Sequence, residues 1–395
     1  MKRVSDFFKE IYSTIQIHFS GYFDHEYYQT QYPDVKAAGI NPILHYLKFG
    51  GLEGRNPSLK FESSFYLHTY PDVKEAGMNP LLHYIRFGKR ERRMPVDLGG
   101  VNIRPIPAWR YYCNEFINVF SNHKVSVIVP SYNACHTIVI CLKSLIQQKY
   151  TNIEIIVVDD GSEDRSGQLI EKIARLDPRV KYVRLVENMG KYVALNEGIR
   201  RSSGKYITMH GADDISLSTR IEKQMQVIRK HKVLFVLCLF VRSELKMEEL
   251  DAEDKVIIHR LTGRSDLYTI DTKHTNLKLQ ICLPGMLANK KLFRKHNLFW
   301  EARYAADTEY LERILYHEMN ISFPKDYSGI YQFFIDLRFQ HKLYYFIYEV
   351  LYISSVRNAN NLTMKYPMGG EERMKFIEQW RRRLRREIEY EYPVL

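Results

Sequence analysis

The chain has 395 residues, of which 45% are hydrophobic, and carries a formal net charge of +12. This length favours two or three domains. The net positive charge indicates either a solvated basic surface or an anionic partner such as a phosphorylated substrate, anionic lipid or nucleic acid. Charged residues interrupt the N-terminal apolar segment, and the longest apolar run, residues 233–241, is too short to span a bilayer. We therefore expect neither a signal peptide nor a membrane span.

The five cysteines fit neither a zinc-ribbon spacing nor a disulfide framework. Reduced thiols in the cytoplasm are the simplest interpretation.

Residues 1–20 are predicted to form an amphipathic helix, and a duplicated segment follows over residues 21–97. Residues 23–57 match residues 61–95 without gaps at an offset of 38 residues. The apolar stripe of the N-terminal helix consists of Val4, Phe8, Ile11 and Ile15. We interpret the duplication as a small helical domain for binding or positioning.

Each copy of the duplicated segment is predicted to contain two short helices. Pro33 and Pro71 suit first helical turns, Gly39 and Gly77 suit helix ends, and an Asn-Pro pair opens the next helix. A histidine recurs in both copies, as His45 and His83. These histidines are either ligands or packing residues, and their recurrence among aromatic residues favours packing.

Residues 98–122 are punctuated by Gly and Pro and are predicted to be a linker. Strand and helix patterns alternate from Val125 onward, which indicates a parallel sheet with crossover helices. The predicted strands cover residues 125–130, 153–160, 180–186 and 205–210, and the predicted helices cover residues 136–148, 165–175, 304–318 and a segment from Lys191. We assign residues 123–330 to an α/β domain and residues 331–395 to a helical extension.

Polar clusters follow three of the predicted strands, and the carboxyl ends of parallel strands usually form the ligand crevice. The clusters are Pro130-Ser131-Tyr132-Asn133, Asp159-Asp160-Gly161-Ser162 and Asp213-Asp214. Glycine-rich dinucleotide and P-loop motifs are absent from the sequence. A nucleotide can still be held here, because Tyr132 offers an aromatic face, Asp159 an acceptor and Lys191 a cation. The alternative is that Asp160 and Asp214 only cap the turns that follow them.

The segments "VSVIVPSYNACHTIVICLKSLIQQKYTNIEIIVVDDGSEDRS" and "ENMGKYVALNEGIRRSSGKYITMHGADD" resemble family 2 glycosyltransferases with the GT-A fold. Weaker similarity at residues 283–293 and 304–315 brings the resemblance to roughly half of the chain. The resemblance implies a mixed, mainly parallel sheet with flanking helices. It also implies an inverting transfer of a sugar from a nucleotide-diphosphate donor, with a UDP-sugar favoured, to a hydroxyl group.

The resemblance also implies roles for individual residues. Asp213 is the implied ligand of Mn²⁺ or Mg²⁺, and Gly211 stands where the first acid of a D-x-D element is expected, so we expect weaker metal binding. Asp307 is the implied general base with Glu309 in reserve, although Asp307 also suits a helix N-cap. Arg357, in a polar loop, either neutralises phosphate charge or is simply solvated. The implied donor-binding residues are Pro130, Tyr132, Asn133, Asp159, Asp160, Lys191, Asp213, Asp214 and Arg357.

The repeats resemble segments attached to bacterial surface-polysaccharide glycosyltransferases. This implies O-antigen or capsule synthesis on a glycan or lipid-linked acceptor at the cytoplasmic face of the inner membrane. A C-terminal helix over residues 371–390 has an apolar stripe and many arginines, and it either lies on anionic lipid or packs on the catalytic domain. Its stripe is Ile377, Trp380, Leu384 and Ile388, and its arginines are Arg381, Arg382, Arg383, Arg385 and Arg386.

Two other functions remain open from the sequence. The missing acid at Gly211 favours a catalytically degenerate domain that binds nucleotide-sugar or scaffolds a partner enzyme. Nucleic-acid binding is disfavoured, because no aromatic and basic recognition module accompanies the arginines.

Overall fold

The computed structural model describes residues 2–100, 103, 123–243, 279–280, 283–299, 306–319 and 344–355, with residues 375, 378, 379 and 382. The chain divides into two compact units, Met1–Pro105 and Ile106–Leu395. The predicted linker, the loop with Arg357 and the apolar stripe of the C-terminal helix lie largely or wholly outside the described residues. Lys375, Glu378, Gln379 and Arg382 are helical and exposed.

The first unit is helical. Each repeat has three short helices followed by a π-helical turn, which is one helix more than predicted, because His25–Gln31 and Ser63–Thr69 form a helix before each proline-initiated helix. The helices are α1 (Lys2–Phe19), α2 (His25–Gln31), α3 (Pro33–Ala37), α4 (Pro42–His45), α5 (Ser63–Thr69), α6 (Pro71–Glu75), α7 (Pro80–His83) and α8 (Lys89–Glu91), and the π-helical turns are Tyr46–Gly50 and Tyr84–Gly88. Gly39 and Gly77 follow α3 and α6 with φ angles of 63° and 57°, as expected for glycines that end helices.

Equivalent residues of the two repeats form one core. The buried set is Tyr28, Val35, Ile43 and Tyr46 with Tyr66, Val73, Leu81 and Tyr84. His45 Nδ1 lies 3.1 Å from the Tyr28 hydroxyl, and His83 Nδ1 lies 3.0 Å from the Tyr66 hydroxyl. Burial lowers the pKa of His83. The packing interpretation of these histidines is therefore confirmed.

The second unit is built on a mixed sheet with helices packed against it, and the predicted α/β class is confirmed. Its strands are β1 (Val125–Ser131), β2 (Ile153–Asp159), β3 (Val180–Arg184), β4 (Tyr206–Met209), β5 (Ile215–Ser216), β6 (Phe235–Ser243), β7 (Leu279–Gln280), β8 (Met286–Asn289) and β9 (Tyr344–Ser355). Its helices are α9 (Ile138–Ile146), α10 (Ser166–Leu176), α11 (Lys191–Arg201), α12 (Arg220–His231), α13 (Lys291–Lys295) and α14 (Ala306–Met319).

The strand order is β3-β2-β1-β4-β8-β6-β9-β5, with β7 paired to β6. The first four strands are mutually parallel, whereas β8 runs antiparallel to both β4 and β6. Ser131 pairs with Asp159, and Ile128 pairs with Met209. The carboxyl ends of β1, β2 and β4 therefore meet at one edge of the sheet, as the sequence predicts.

Glu154 near the start of β2 ties the parallel strands together. Its buried carboxylate accepts hydrogen bonds from Ser126 Oγ at 2.6 Å and from Ser203 N at 2.6 Å, and it pairs with Lys181. Burial alone would raise the pKa of Glu154, but hydrogen bonds from Lys181, Ser126 and Ser203 outweigh burial and lower that pKa to about 2.

Replacing Glu154 by glutamine is expected to lower the free energy of unfolding by roughly 3 kcal/mol at pH 7. A lowered folded-state pKa stabilises the fold above the unfolded pKa, and this contribution is lost as pH falls through 2. Urea unfolding measured at pH 7 and at low pH checks the value. Glu171→Gln, which removes a surface pair with Arg175, is the control and is expected to change stability by under about 1 kcal/mol. Equal stability of the two variants at pH 7 would contradict this role.

No helix within the described parts of the chain has both the length and the apolar character needed to cross a membrane.

Candidate active site

The loops that follow β1 and β2 interlock through hydrogen bonds. Asn133 N donates to Ser162 Oγ at 2.9 Å, and Glu163 N donates to Asn133 Oδ1 at 2.9 Å. Ala134 N donates to Ser166 Oγ at 2.8 Å. Asn133 has a φ of 47°, a left-handed conformation that asparagine tolerates. Asn133 therefore shapes the loop, and the neighbouring Tyr132 side chain is exposed.

Asp159, at the end of β2, is fully buried and its carboxylate is held from several sides. Oδ1 accepts a hydrogen bond from Ser162 N at 2.9 Å. Oδ2 accepts from the Tyr182 hydroxyl at 3.0 Å and from Arg184 Nη1 at 3.1 Å. Tyr182 and Arg184 are not among the site residues predicted from the sequence. Their spacing of two residues on β3 puts both on one face of the sheet, and this is the signal that points to them.

Asp160 fixes the segment that leads into α11. Its carboxylate accepts hydrogen bonds from Met189 N at 2.8 Å and from Gly190 N at 2.9 Å, directly before Lys191 begins the helix. Its own backbone N–H donates to Ser131 O at 2.8 Å. Burial raises the pKa of Asp160. These contacts match the capping alternative for Asp160 and position Lys191 at the sheet edge.

The Asp213 and Asp214 carboxylates converge over Gly211. A Cβ at position 211 would collide with Asp214 Oδ2 and would lie 3.0 Å from Asp213 Oδ1. The turn is closed by a hydrogen bond from Asp214 N to Gly211 O at 3.2 Å. An aspartate at position 211 would therefore require the Asp214 side chain to move.

Burial and the nearby Asp214 raise the pKa of Asp213 to about 7, and Lys191 offsets part of this shift. Two crowded carboxylates with one raised pKa form a local excess of negative charge. A divalent cation or a positively charged group relieves such an excess.

The Gly211 turn is supported from the protein interior. The buried His210 Nδ1 donates to Gly211 O at 2.8 Å, and Cys141 Sγ lies 3.3 Å from the same oxygen. Burial and the nearby Arg220 lower the pKa of His210 well below its usual value, so the ring is neutral. Neither Cys141 nor His210 is among the site residues predicted from the sequence.

A cleft opens beside this turn. Its lining joins two predicted donor residues, Pro130 and Lys191, with the Gly211 turn. The lining residues are Pro130, Lys191, Tyr192, Leu195, Met209, His210, Gly211 and Pro284. The structure thus brings the ends of β1 and β4 and the start of α11 to one opening.

Asp307 lies in the first turn of α14, and this helix packs on the 3₁₀ turn Leu283–Gly285. Pro284 of that turn lines the cleft, so α14 packs against an element that borders the cleft. Glu309 is fully buried, and its Oε1 lies 3.2 Å from Arg313 Nε. The ion pair gives Glu309 a structural partner.

Asn196 connects α11 to the segment that precedes α14. Its Nδ2 donates to Phe299 O at 2.9 Å, and Phe299 N donates to its Oδ1 at 3.0 Å. Arg313 Nη2 donates to the adjacent Leu298 O at 2.7 Å. A continuous set of buried hydrogen bonds therefore relates the helix that carries Lys191 to the helix that carries Asp307.

Asp213 and Asp214 are the two adjacent carboxylates at this turn that could hold a metal ion. Among the residues that the structure describes, no group of three or more His, Cys, Asp or Glu side chains is arranged to hold a metal ion. Two convergent carboxylates fit a hard divalent cation that completes its shell with water and substrate phosphate oxygens.

Residues 126–296 match the family described as "Glycosyl transferase family 2". The chain is 44% identical to glycosyltransferase GlyA of Streptococcus pneumoniae over 91 residues, which are 23% of this chain and 13% of GlyA. It is 34% identical over 111 residues to TuaG of Bacillus subtilis, a putative teichuronic acid biosynthesis glycosyltransferase. That match covers 28% of this chain and 44% of TuaG.

Among solved structures, S. aureus TarS 1-349 in complex with UDP-GlcNAc is similar, with a TM-score of 0.46 and 18% identity. The similarity covers 68% of each chain.

The match to curated relatives is partial, since the chain spans less than half the length of either GlyA or TuaG. The strand ends that form the cleft nevertheless lie inside the matched segment. Residues 126–296 are therefore similar to the glycosyltransferase family 2 domain, and the relatives that match this part of the chain are named glycosyltransferases.

Proposed function

We propose that the chain is an inverting glycosyltransferase that moves a sugar from a nucleotide-diphosphate donor, most favourably a UDP-sugar, to a hydroxyl group. The observation that carries this proposal is the convergence of Gly211, Lys191 and Pro130 on one cleft, beside the Asp213-Asp214 pair, within the segment that matches family 2. Lys191 and a nearby acidic turn suit a diphosphate held with a counterion. The exposed Tyr132 offers a ring face to a nucleobase.

In the proposed reaction, the oxygen of the acceptor hydroxyl attacks the anomeric carbon from the face opposite the leaving group. The new carbon–oxygen bond forms as the bond to the diphosphate breaks, which inverts the anomeric centre. Asp307 takes the proton of the attacking hydroxyl, and the nucleoside diphosphate leaves with the bonding electrons. Lys191 stabilises the negative charge that develops on the departing diphosphate.

We propose Asp213, with Asp214 beside it, as the residues that hold Mn²⁺ or Mg²⁺. A bound divalent cation supplies positive charge near the leaving diphosphate. Gly211 removes one carboxylate from this set, and the Asp214 side chain occupies the space beside it. We therefore expect weaker metal binding than in a site with three acids.

Mn²⁺ affinity is expected to rise about tenfold per pH unit from pH 5.5 to pH 7 and to level off above pH 7. Asp213, with its pKa raised to about 7, must lose its proton to bind the cation. Titration calorimetry in the presence of UDP across this pH range checks the slope. The Asp213→Asn variant should bind weakly with a flat pH profile. A wild-type affinity that does not change between pH 5.5 and pH 8 would contradict Asp213 as the ligand.

We propose a glycan or lipid-linked acceptor of surface-polysaccharide synthesis at the cytoplasmic face of the inner membrane. Ile11, Ile15 and Phe19 are exposed on α1 and support contact with lipid, together with the positive net charge. Flotation with anionic vesicles should recover the wild-type chain and should recover less of an Ile11→Ser/Ile15→Ser variant. Equal recovery of both proteins, or of neither, would contradict this location.

The proposed activity is tested by incubating the chain and Mn²⁺ with a panel of UDP-, GDP- and dTDP-sugars and measuring nucleoside diphosphate release. Turnover of one donor class, lost in Asp213→Asn, is the expected result. Donor binding without turnover of any sugar would favour the alternative of a degenerate domain that binds nucleotide-sugar or scaffolds another enzyme. The replacement of an acid by Gly211 is the observation that supports this alternative.

A further inference from the structure

One surface of the first repeat is exposed, whereas the equivalent surface of the second repeat is largely buried. We define this Asn41 face by Ile40, Asn41, Leu44 and His45, whose counterparts in the second repeat are Met78, Asn79, Leu82 and His83. In the second repeat, Asn79 and His83 are only 7% and 8% exposed. In the first repeat, Asn41 is exposed and Ile40 is 44% exposed. Leu44, His45 and Met78 are half-buried and Leu82 is buried, so each position is more exposed in the first copy than in the second.

The structure shows what covers the second copy. Asn79 Nδ2 donates to Tyr46 O at 2.9 Å, in the π-helical turn that ends the first repeat. Gly51 follows this turn, and a Cβ there would collide with Asn79 Nδ2 and lie 3.1 Å from Pro80 Cδ. Tyr46 O also accepts a hydrogen bond from Gly51 N at 2.9 Å. A contact of this kind therefore needs a tyrosine carbonyl that accepts a second hydrogen bond and a glycine at the position of Gly51.

Asn41 has the same helix-capping geometry as Asn79, so the Asn41 face can make the same contact. Asn41 Oδ1 accepts hydrogen bonds from Ile43 N at 3.0 Å and from Leu44 N at 3.2 Å, and Asn79 Oδ1 accepts from Leu82 N at 3.1 Å. The two asparagines thus cap their helices with the same oxygen, which leaves Nδ2 available outward. Within the described residues, Asn41 Nδ2 has no hydrogen-bond partner.

A second copy of this chain does not supply the cover. Its turn at Tyr46–Gly50 is already used by its own Asn79. Its other turn, Tyr84–Gly88, is followed by Lys89 in place of glycine. The Lys89 ammonium lies 4.6 Å from the centroid of the Tyr22 ring. The turn that ends the second repeat therefore lacks the glycine needed for this contact, whereas the Asn41 face of the first repeat is exposed.

We propose that the Asn41 face binds a repeat of the same kind on a different protein, through a turn of the form Tyr-x-x-Phe-Gly-Gly. The tyrosine carbonyl of the partner accepts a hydrogen bond from Asn41 Nδ2. The second glycine of the partner has no side chain, so Asn41 and Pro42 can approach it closely. This partner contact goes beyond sugar transfer, and it gives the repeat domain a role in bringing a second repeat-bearing protein to the transferase.

The test uses a full-length variant, Lys89→Gly/Asn41→Asp, as the probe that offers a glycine-ended turn. The Asn41→Asp change keeps the helix cap but replaces the donating amide by an acceptor, so the probe has no working face of its own. Sedimentation velocity of probe mixed with wild type should show a one-to-one complex. Probe mixed with Asn41→Asp target should show none. Absence of a complex with wild type would overturn the proposal, as would wild-type self-association that Asn41→Asp abolishes.

A second measurement covers the case in which the probe does not fold. Residues 21–58 are duplicated in tandem within the full chain, so that a glycine-ended turn is presented to an Asn41 face in the same molecule. Hydrogen exchange of the amides at residues 43–46 of the covered copy should slow by at least about tenfold. Unchanged exchange, or equal slowing when the covered copy carries Asn41→Asp, would overturn the proposal.

Discussion

Asp213→Asn is expected to lower kcat/KM for the nucleotide-sugar by about 10²–10³-fold, because the variant loses a charged ligand at the leaving diphosphate. The same variant should unfold at a temperature equal to or above that of the wild type at pH 8. A folded-state pKa raised to about 7 stabilises the fold below the unfolded pKa of 3.8, and this contribution is lost as pH rises through 7. Removing the ionised group near Asp214 therefore relieves repulsion while it removes function.

Steady-state kinetics with excess Mn²⁺ and thermal melting at pH 5 and pH 8 measure both effects. Asp34→Asn is the control, because Asp34 is an exposed carboxylate paired with Arg55 in the repeat domain. This control should leave kcat/KM within about twofold of wild type, as expected for an exposed surface pair. Wild-type kinetics in Asp213→Asn would remove this residue from the site. A large drop in melting temperature at pH 8 would instead assign Asp213 a structural role.

Asp307→Asn is expected to lower kcat by about 10²–10⁴-fold with little change in donor KM, since a general base acts on the acceptor proton in the transition state. The acid limb of the kcat–pH profile should disappear in this variant. Donor binding measured by calorimetry should be retained, because the base does not hold the nucleotide.

Glu309→Gln is the matched control for Asp307, since both carboxylates lie on α14. Glu309 is buried with its partner Arg313 3.2 Å away, so its replacement should destabilise the fold while leaving the acid limb in place. The opposite pattern, with the acid limb lost only in Glu309→Gln, would transfer the role of base to Glu309.

The strand ends show how far local sequence information reaches. Runs of apolar residues before Pro130, Asp159 and Asp213 predict strands whose carboxyl ends share an edge, and the parallel pairing of β1 with β2 and β4 confirms this. The sequence predicts this arrangement because an apolar run indicates a buried strand, and because parallel strands end at the same edge of a sheet. The roles of the individual residues at this edge stay predictions.

The hydrogen-bond partners of those residues cannot be predicted from local sequence patterns. Asn196 and Phe299 are hydrogen-bonded to each other although they are 103 residues apart in the chain. Tyr182 and Arg184 bind Asp159 only because β3 lies beside β2 in the observed register. The position of Gly211 in the sequence indicates a lost acid, and the structure adds that Asp214 occupies the space beside it.

The sequence alone determined the α/β class, the duplication, the polar edge of the sheet and the resemblance to family 2 glycosyltransferases. Each of these depends on residue type and on spacing along the chain, which packing does not alter. Only the tertiary structure decided which carboxylates are buried, which are paired and which of two matching repeat surfaces is left open. Those properties depend on contacts between distant segments, and identical local patterns such as Asn41-Pro42 and Asn79-Pro80 acquire different surroundings only when the chain is folded.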